Sequence, residues 1–137
     1  MKIKRLTSEL IDESFIETLS TLSPVNLTVT KAKKLFANIN SDIFVAIEKG
    51  IIGCATVFVE QKLIHKGGRV AHIEDVAVHP NYQGKGVGYA LVEKIIEEAS
   101  KIECYKIILD CLPKVRGFYE KLGFKETTIG MRRDLRS

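Results

Sequence analysis

The residues best suited to chemistry lie between Glu74 and Tyr119. The run His79-Pro80-Asn81-Tyr82-Gln83-Gly84-Lys85-Gly86-Val87-Gly88-Tyr89 carries glycines at alternate positions and the spacing Gln83-x-x-Gly86-x-Gly88. Glycine lets backbone approach a ligand closely, and a helix starting there brings its first unpaired N–H groups to one point. Both features suit a pyrophosphate. Just upstream, Glu74 and Asp75 stand side by side inside the apolar run 73–78. In a regular strand they point to opposite faces, one toward a substrate and the other toward a loop or partner. An ion pair with Arg69 or Lys106 is the purely structural alternative. Asp110 closes another apolar run, 105–111, and strand ends are where open α/β sites collect their functional groups. Its structural alternative is a cap for the helix that starts at Lys114.

The elements around these residues follow from periodicity. Leu10, Ile11, Phe15, Ile16 and Leu19 recur at helical spacing, which predicts an amphipathic helix over 9–22, ended by Ser23-Pro24. Thr28 or Thr30 can cap a second helix that runs to Phe36. The apolar runs 43–48 and 51–64, joined at Lys49-Gly50, predict an antiparallel pair. His65-Lys66-Gly67-Gly68 is a second turn, and 69–78 a third strand that Pro80 stops. A helix over 87–101 buries Val87, Leu91, Val92, Ile95, Ile96 and Ala99. With the strand 105–111 it forms a βαβ unit, so these two strands are expected to be parallel. A short helix, 114–122, ends at Gly123 in a left-handed cap, and 124–134 closes the chain as one or two strands.

Composition bounds the answer. The 137 residues suit one domain, 1–137, with 45% hydrophobic and 28% charged residues. No apolar run reaches the roughly 20 residues of a membrane span. The opening Met1-Lys2-Ile3-Lys4-Arg5-Leu6 lacks the apolar core of a signal peptide, so the expected location is cytoplasmic. The three cysteines, Cys54, Cys104 and Cys111, have neither disulfide-framework nor zinc spacing and are expected to be reduced packing residues. A net charge of +4, with Arg132, Arg133 and Arg136 clustered at the end, fits an anionic small ligand as well as nucleic acid. Neither the dinucleotide fingerprint Gly-x-Gly-x-x-Gly nor a Gly-x-x-x-x-Gly-Lys-Ser/Thr phosphate loop is present.

Gln83-x-x-Gly86-x-Gly88 between a strand and a helix, followed by Gly117-Phe118-Tyr119-Glu120-Lys121-Leu122-Gly123-Phe124, resembles the GNAT superfamily of N-acetyltransferases. The segments His72-Ile73-Glu74-Asp75-Val76-Ala77-Val78 and Cys104-Tyr105-Lys106-Ile107-Ile108-Leu109-Asp110-Cys111 are similar to the branch that acetylates glucosamine 6-phosphate, as is the opening 15–22. The likeness covers nearly the whole chain and is densest from Lys62 to Phe124.

The resemblance implies an α/β GNAT fold: a mixed, mostly antiparallel twisted sheet flanked by helices, with one parallel βαβ pair splayed to hold acetyl-CoA. It implies direct acetyl transfer in a ternary complex, acetyl-CoA as co-substrate and no metal. Gln83, Gly84, Lys85, Gly86, Val87, Gly88 and Tyr89 fall on the pyrophosphate loop, and Val76, Ala77 and Val78 on the strand that pairs with the pantetheine arm. A backbone N–H near Val76 becomes a candidate oxyanion donor. Tyr119 takes the place of the residue that protonates or stabilises the departing thiolate. Glu74 and Asp75 fall on the acceptor site, Asp110 orients the amine, and no histidine is an obvious base. Ser23, Lys62, His65, Tyr105, Lys106 and Arg133 (or Arg132) are the candidates for the sugar phosphate. His72 and His79 are expected to be structural or exposed. A homodimer is implied, with the C-terminal strand packed across its interface and the partner contributing to the sugar site; no nucleic acid or membrane is expected. Two alternatives stand beside this reading: a sibling acetyltransferase for a peptide N-terminus, a polyamine or another amino sugar, and a non-catalytic acyl-CoA-binding module. The second would be marked by loss of Tyr119 or Asp110, and both are present.

Overall fold

The computed structural model describes residues 1–136. Its elements are β1 (Lys2–Arg5), α1 (Glu13–Leu19), α2 (Val29–Phe36), β2 (Asp42–Ile47), β3 (Ile51–Gln61), the helical turn α3 (Ile64–Gly67), β4 (Arg69–Val78), α4 (Val87–Lys101), β5 (Cys104–Ile108) and α5 (Arg116–Glu120). The strands form one sheet in chain order, β1-β2-β3-β4-β5. The first three pairings are antiparallel and β4 with β5 is parallel. This is the mixed, mostly antiparallel sheet that the sequence predicts, extended by an edge strand, β1, that short alternation in a lysine-rich start did not reveal.

The first helix is shorter than its apolar periodicity predicts. A 3-10 turn covers Ser8–Leu10, Ile11 is extended, and α1 begins only at Glu13. Asp12 sets that start, because its carboxylate accepts from the Phe15 N–H at 3.1 Å. For α2 it is Thr28 that caps, accepting from the Lys31 N–H at 3.1 Å, while Thr30 lies inside the helix. β3 stops at Gln61 rather than near Ile64, and Gln61 Nε2 donates to the Gly67 carbonyl at 2.7 Å across the turn. The helix expected over 114–122 is a 3-10 turn, Pro113–Val115, followed by α5. Gly123, at φ 92°, gives the left-handed ending that was expected. The strands expected over 124–134 are absent: the chain runs without ladder hydrogen bonds, and Ile129, Met131 and Leu135 are 88%, 93% and 86% exposed. A strand forms only against another strand, and β5 is the last one in the sheet.

Two apolar layers sandwich the sheet. Phe44, Ala55, Ala71 and Ile73 pack beneath Leu91, Val92 and Ile95 of α4. On the other face Val45, Cys54 and Ala77 meet Phe15 and Ile11. Each large side chain buried this way contributes about 1.5–3 kcal/mol. Gly53 permits a close approach of α4 to β3, since a Cβ there would lie 2.7 Å from Val87 Cγ1. Thr18, fully buried, donates to the Ile51 carbonyl at 2.9 Å and ties α1 to β3.

Candidate active site

Two irregularities in β4 create the site. The parallel ladder with β5 ends at His72↔Ile108, although β4 continues to Val78. The strands therefore splay, and the edge of β4 that faced β5 is left without a strand beyond His72. The register with β3 also shifts, from Cys54↔Ala77 to Thr56↔Glu74, so Asp75 and Val76 share one partner position. Asp75 accordingly adopts φ 51°, a left-handed conformation uncommon outside glycine. At this bulge Glu74 and Asp75 both line one cavity, and Glu74 alone of the two also lines a second one. Neither forms an ion pair with Arg69 or Lys106.

The cavity shared by Glu74 and Asp75, about 320 Å³, lies in the splay. Its walls are Ile73–Val76 of β4, the segment 109–111 after β5, Tyr119, Val115 and Leu22. A larger cavity, about 1060 Å³, adjoins it between β5, α5 and the segment 122–130. Glu74, Asp110, Cys111 and Tyr119 line both. The charges divide unequally: the smaller cavity has Glu74, Asp75 and Asp110 and no basic side chain, whereas the larger one has Lys106, Arg116 and Lys125 beside Glu74, Asp110, Glu120 and Glu126. Arg116 is paired with Glu126 at 3.2 Å.

Asp110 caps neither the 3-10 turn nor α5, whose preceding residues are Leu112 and Val115. Its carboxylate instead faces the segment near Gly130, where a Cβ would sit 3.6 Å from Oδ1. Tyr119 is held edge-on by Phe118 and Phe124, with ring centroids 4.9 and 6.0 Å away. Burial first, and the Cys111 thiol second, push its phenol above the ordinary tyrosine value. Cys54 lies beneath the bulge; burial first, then the Asp75 charge, raises its thiol to about 12. It is the packing residue expected, whereas Cys111 is exposed and part of the site.

The glycine loop follows β4. Gly84 and Gly86 have φ of 76° and 82° with open space around them. Gly86 is the N-cap of α4 and supplies no side-chain cap, so the first N–H groups of the helix remain available. Gly88 serves packing, with a Cβ position 3.4 Å from Phe118 Cζ. Gln83 Nε2 donates to the Val78 carbonyl at 3.1 Å and fastens the loop to the strand. Val87 and Ala77 point into the core and can offer only backbone; Lys85 and Tyr89 are exposed.

The other predicted residues are dispersed. Lys106 lines the larger cavity; Ser23, Lys62, His65, Tyr105 and Arg133 line neither. Lys62 pairs with Glu60 at 3.2 Å, and His65 stacks on Tyr105 at 4.2 Å near the start of β4 and β5. His72 and His79 have structural partners, Glu60 at 3.0 Å and Glu17 at 2.9 Å. Leu22, Cys111, Val115, Arg116 and Lys125 enter the walls although none of them was a site candidate; the first four lie in segments the sequence marks as elements or motifs without pointing to a site role.

A splayed parallel pair, a bulge beside it and an uncapped, glycine-opened helix define a class of protein. The chain belongs to the acetyltransferase (GNAT) family, which it matches over residues 8–124. It is 47% identical over 81 residues to glucosamine 6-phosphate N-acetyltransferase of Candida albicans, a match covering 59% of this chain and 54% of that protein. To the enzyme of the same name from Trypanosoma brucei brucei it is 40% identical over 115 residues, 83% of this chain and 78% of that one. The fold superposes on the crystal structure of glucosamine-6-phosphate N-acetyltransferase from Arabidopsis thaliana with TM-score 0.93 and 30% identity, covering 98% of both chains.

Proposed function

We propose that this protein transfers the acetyl group of acetyl-CoA to the amine of glucosamine 6-phosphate, giving the N-acetylated sugar phosphate and CoA. The observation that carries the reading is the unpaired edge of β4, which runs from the acidic cavity directly into the open N-terminus of α4. It offers one continuous track for a long ligand with a pyrophosphate at one end and a reactive group at the other. Similarity to relatives named for this reaction supports the choice of acceptor.

In this reading the backbone of 83–88 receives the pyrophosphate, and Val76, Ala77 and Val78 pair with the pantetheine arm. The amine nitrogen attacks the thioester carbonyl, the C–N bond forms and the C–S bond breaks. The amine loses a proton and the thiolate gains one. Glu74, Asp75 and Asp110 orient the amine, which binds and attacks as the free base. A backbone N–H near Val76 stabilises the oxyanion. Tyr119 is the proton donor to sulfur, a role that suits a phenol kept neutral by burial. Holding both reactants together supplies up to about 7–11 kcal/mol of the acceleration. For the phosphate, the larger cavity favours Lys106 with Arg116 and Lys125.

We further propose a homodimer. The exposed Ile129, Met131 and Leu135, together with the free outer edge of β5, support it. Sedimentation showing only monomer at assay concentration would remove it.

Thiol release measured with glucosamine 6-phosphate, glucosamine and glucosamine 1-phosphate tests the acceptor. Turnover strongly favouring the 6-phosphate is expected. Equal rates with glucosamine remove the phosphate from recognition, and turnover only with a polyamine or peptide assigns the fold to another amine.

A further inference from the structure

We infer that Leu22 sets the acyl-chain length the site accepts, an inference that rests on the acyl-transfer reading above. The smaller cavity carries three carboxylates and no basic side chain. A phosphate is therefore repelled from it, and it is left to the amine and the acyl group. Leu22 lines this cavity and not the larger one. It is also the single wall residue from the front half of the chain; the others come from β4, the segment after β5, and α5 with the turn before it.

The backbone of its turn is held, although the side chain is 48% exposed. The Leu22 N–H donates to the Leu19 carbonyl at 3.1 Å, and Thr21 Oγ1 donates to the Thr18 carbonyl at 2.9 Å. Thr18 is in turn bonded to β3, so the turn carrying Leu22 is anchored to the sheet. Together with Ile73, Val76, Leu109 and Val115 it supplies the apolar wall of a cavity that also carries carboxylates. The acyl tail packs on those apolar side chains, because the carboxylates are taken by the amine. Leu22, more exposed than Val115, stands at the solvent end, and shortening it lengthens the space. The chemistry is unchanged for a longer chain: the C–N bond forms, the C–S bond breaks, and the amine proton is balanced by the one gained at sulfur.

The test compares acetyl-, propionyl- and butyryl-CoA with glucosamine 6-phosphate as acceptor, in the wild type, Leu22→Ala and Leu22→Phe, each checked for an intact thermal transition. One methylene in an apolar pocket is worth about 10–200-fold in kcat/KM. Leu22→Ala is expected to raise the butyryl-to-acetyl ratio of kcat/KM by at least about 10-fold, and Leu22→Phe to lower the propionyl-to-acetyl ratio by a similar factor. Ratios unchanged in both variants overturn the inference. So does a raised KM for the sugar phosphate with unchanged acyl ratios, which assigns Leu22 to the acceptor. If the wild type releases no thiol with glucosamine 6-phosphate, the acceptor reading fails by itself. The ratios are then read with whichever of glucosamine, spermidine or an N-terminal peptide is turned over, and the same outcomes decide.

Discussion

Tyr119 is where burial and reactivity meet. Its ring is packed between Phe118 and Phe124, while its surface reaches both cavities. Desolvation holds the phenol above the ordinary tyrosine value. The protonated form is therefore complete at neutral pH and is lost only as pH rises through that elevated value. Tyr119→Phe is expected to lower kcat by roughly 100-fold, the scale of a general acid, with little change in the acetyl-CoA KM. The alkaline limb of the wild-type kcat profile should then be missing from the variant. Equal losses in kcat and acetyl-CoA affinity would assign the ring to binding instead.

At the scale of elements, glycine does two different jobs, and two substitutions separate them. Gly53 lies under α4, where a Cβ would meet Val87 Cγ1 at 2.7 Å and Leu91 Cδ1 at 3.0 Å. Gly53→Ala should destabilise the fold by about 1–3 kcal/mol through overpacking, read as a lower urea midpoint. Gly86 has open space but φ 82°. Gly86→Ala should cost roughly 1–2 kcal/mol in backbone strain and also raise the acetyl-CoA KM, because the strained residue is the one that opens α4. A Gly53→Ala protein as stable as wild type would show that β3 and α4 can separate without cost. The β4 bulge belongs to this scale too: it brings Glu74 and Asp75 to one cavity.

Across the whole molecule, large apolar side chains stand highly exposed toward the end of the chain, at Ile129, Met131 and Leu135. Residues 124–130 line the larger cavity and 131–136 continue exposed, with Met131 at 93%. If a second copy covers this tail, Met131→Asp should convert a sedimenting dimer into monomer and lower turnover with it. Dimer retained with unchanged turnover would detach the tail from the interface.

Much of this was legible in the residues. The extents of β4 and α4, a threonine cap at Thr28 or Thr30, the parallel pair and the left-handed Gly123 follow from local pattern, because periodicity, caps and glycine conformations act over a few residues. The glycine loop likewise announced an anion site. The walls of the cavities were not legible. Leu22, Val115, Arg116 and Lys125 converge from separate segments, and their contact depends on how far β4 and β5 diverge. Ser23, Lys62, His65, Tyr105 and Arg133, grouped by resemblance, stay outside both cavities for the same reason. The sequence alone determined the elements from α2 to α5 in outline, their order and the acetyltransferase signature, since these rest on short-range chemistry. Only the tertiary structure decided that Glu74 and Asp75 share a cavity, that this cavity has no basic side chain while its larger neighbour mixes both signs, and that the tail finds no strand among the described residues. Each of these depends on a register shift, a splay angle or an edge that no local pattern encodes.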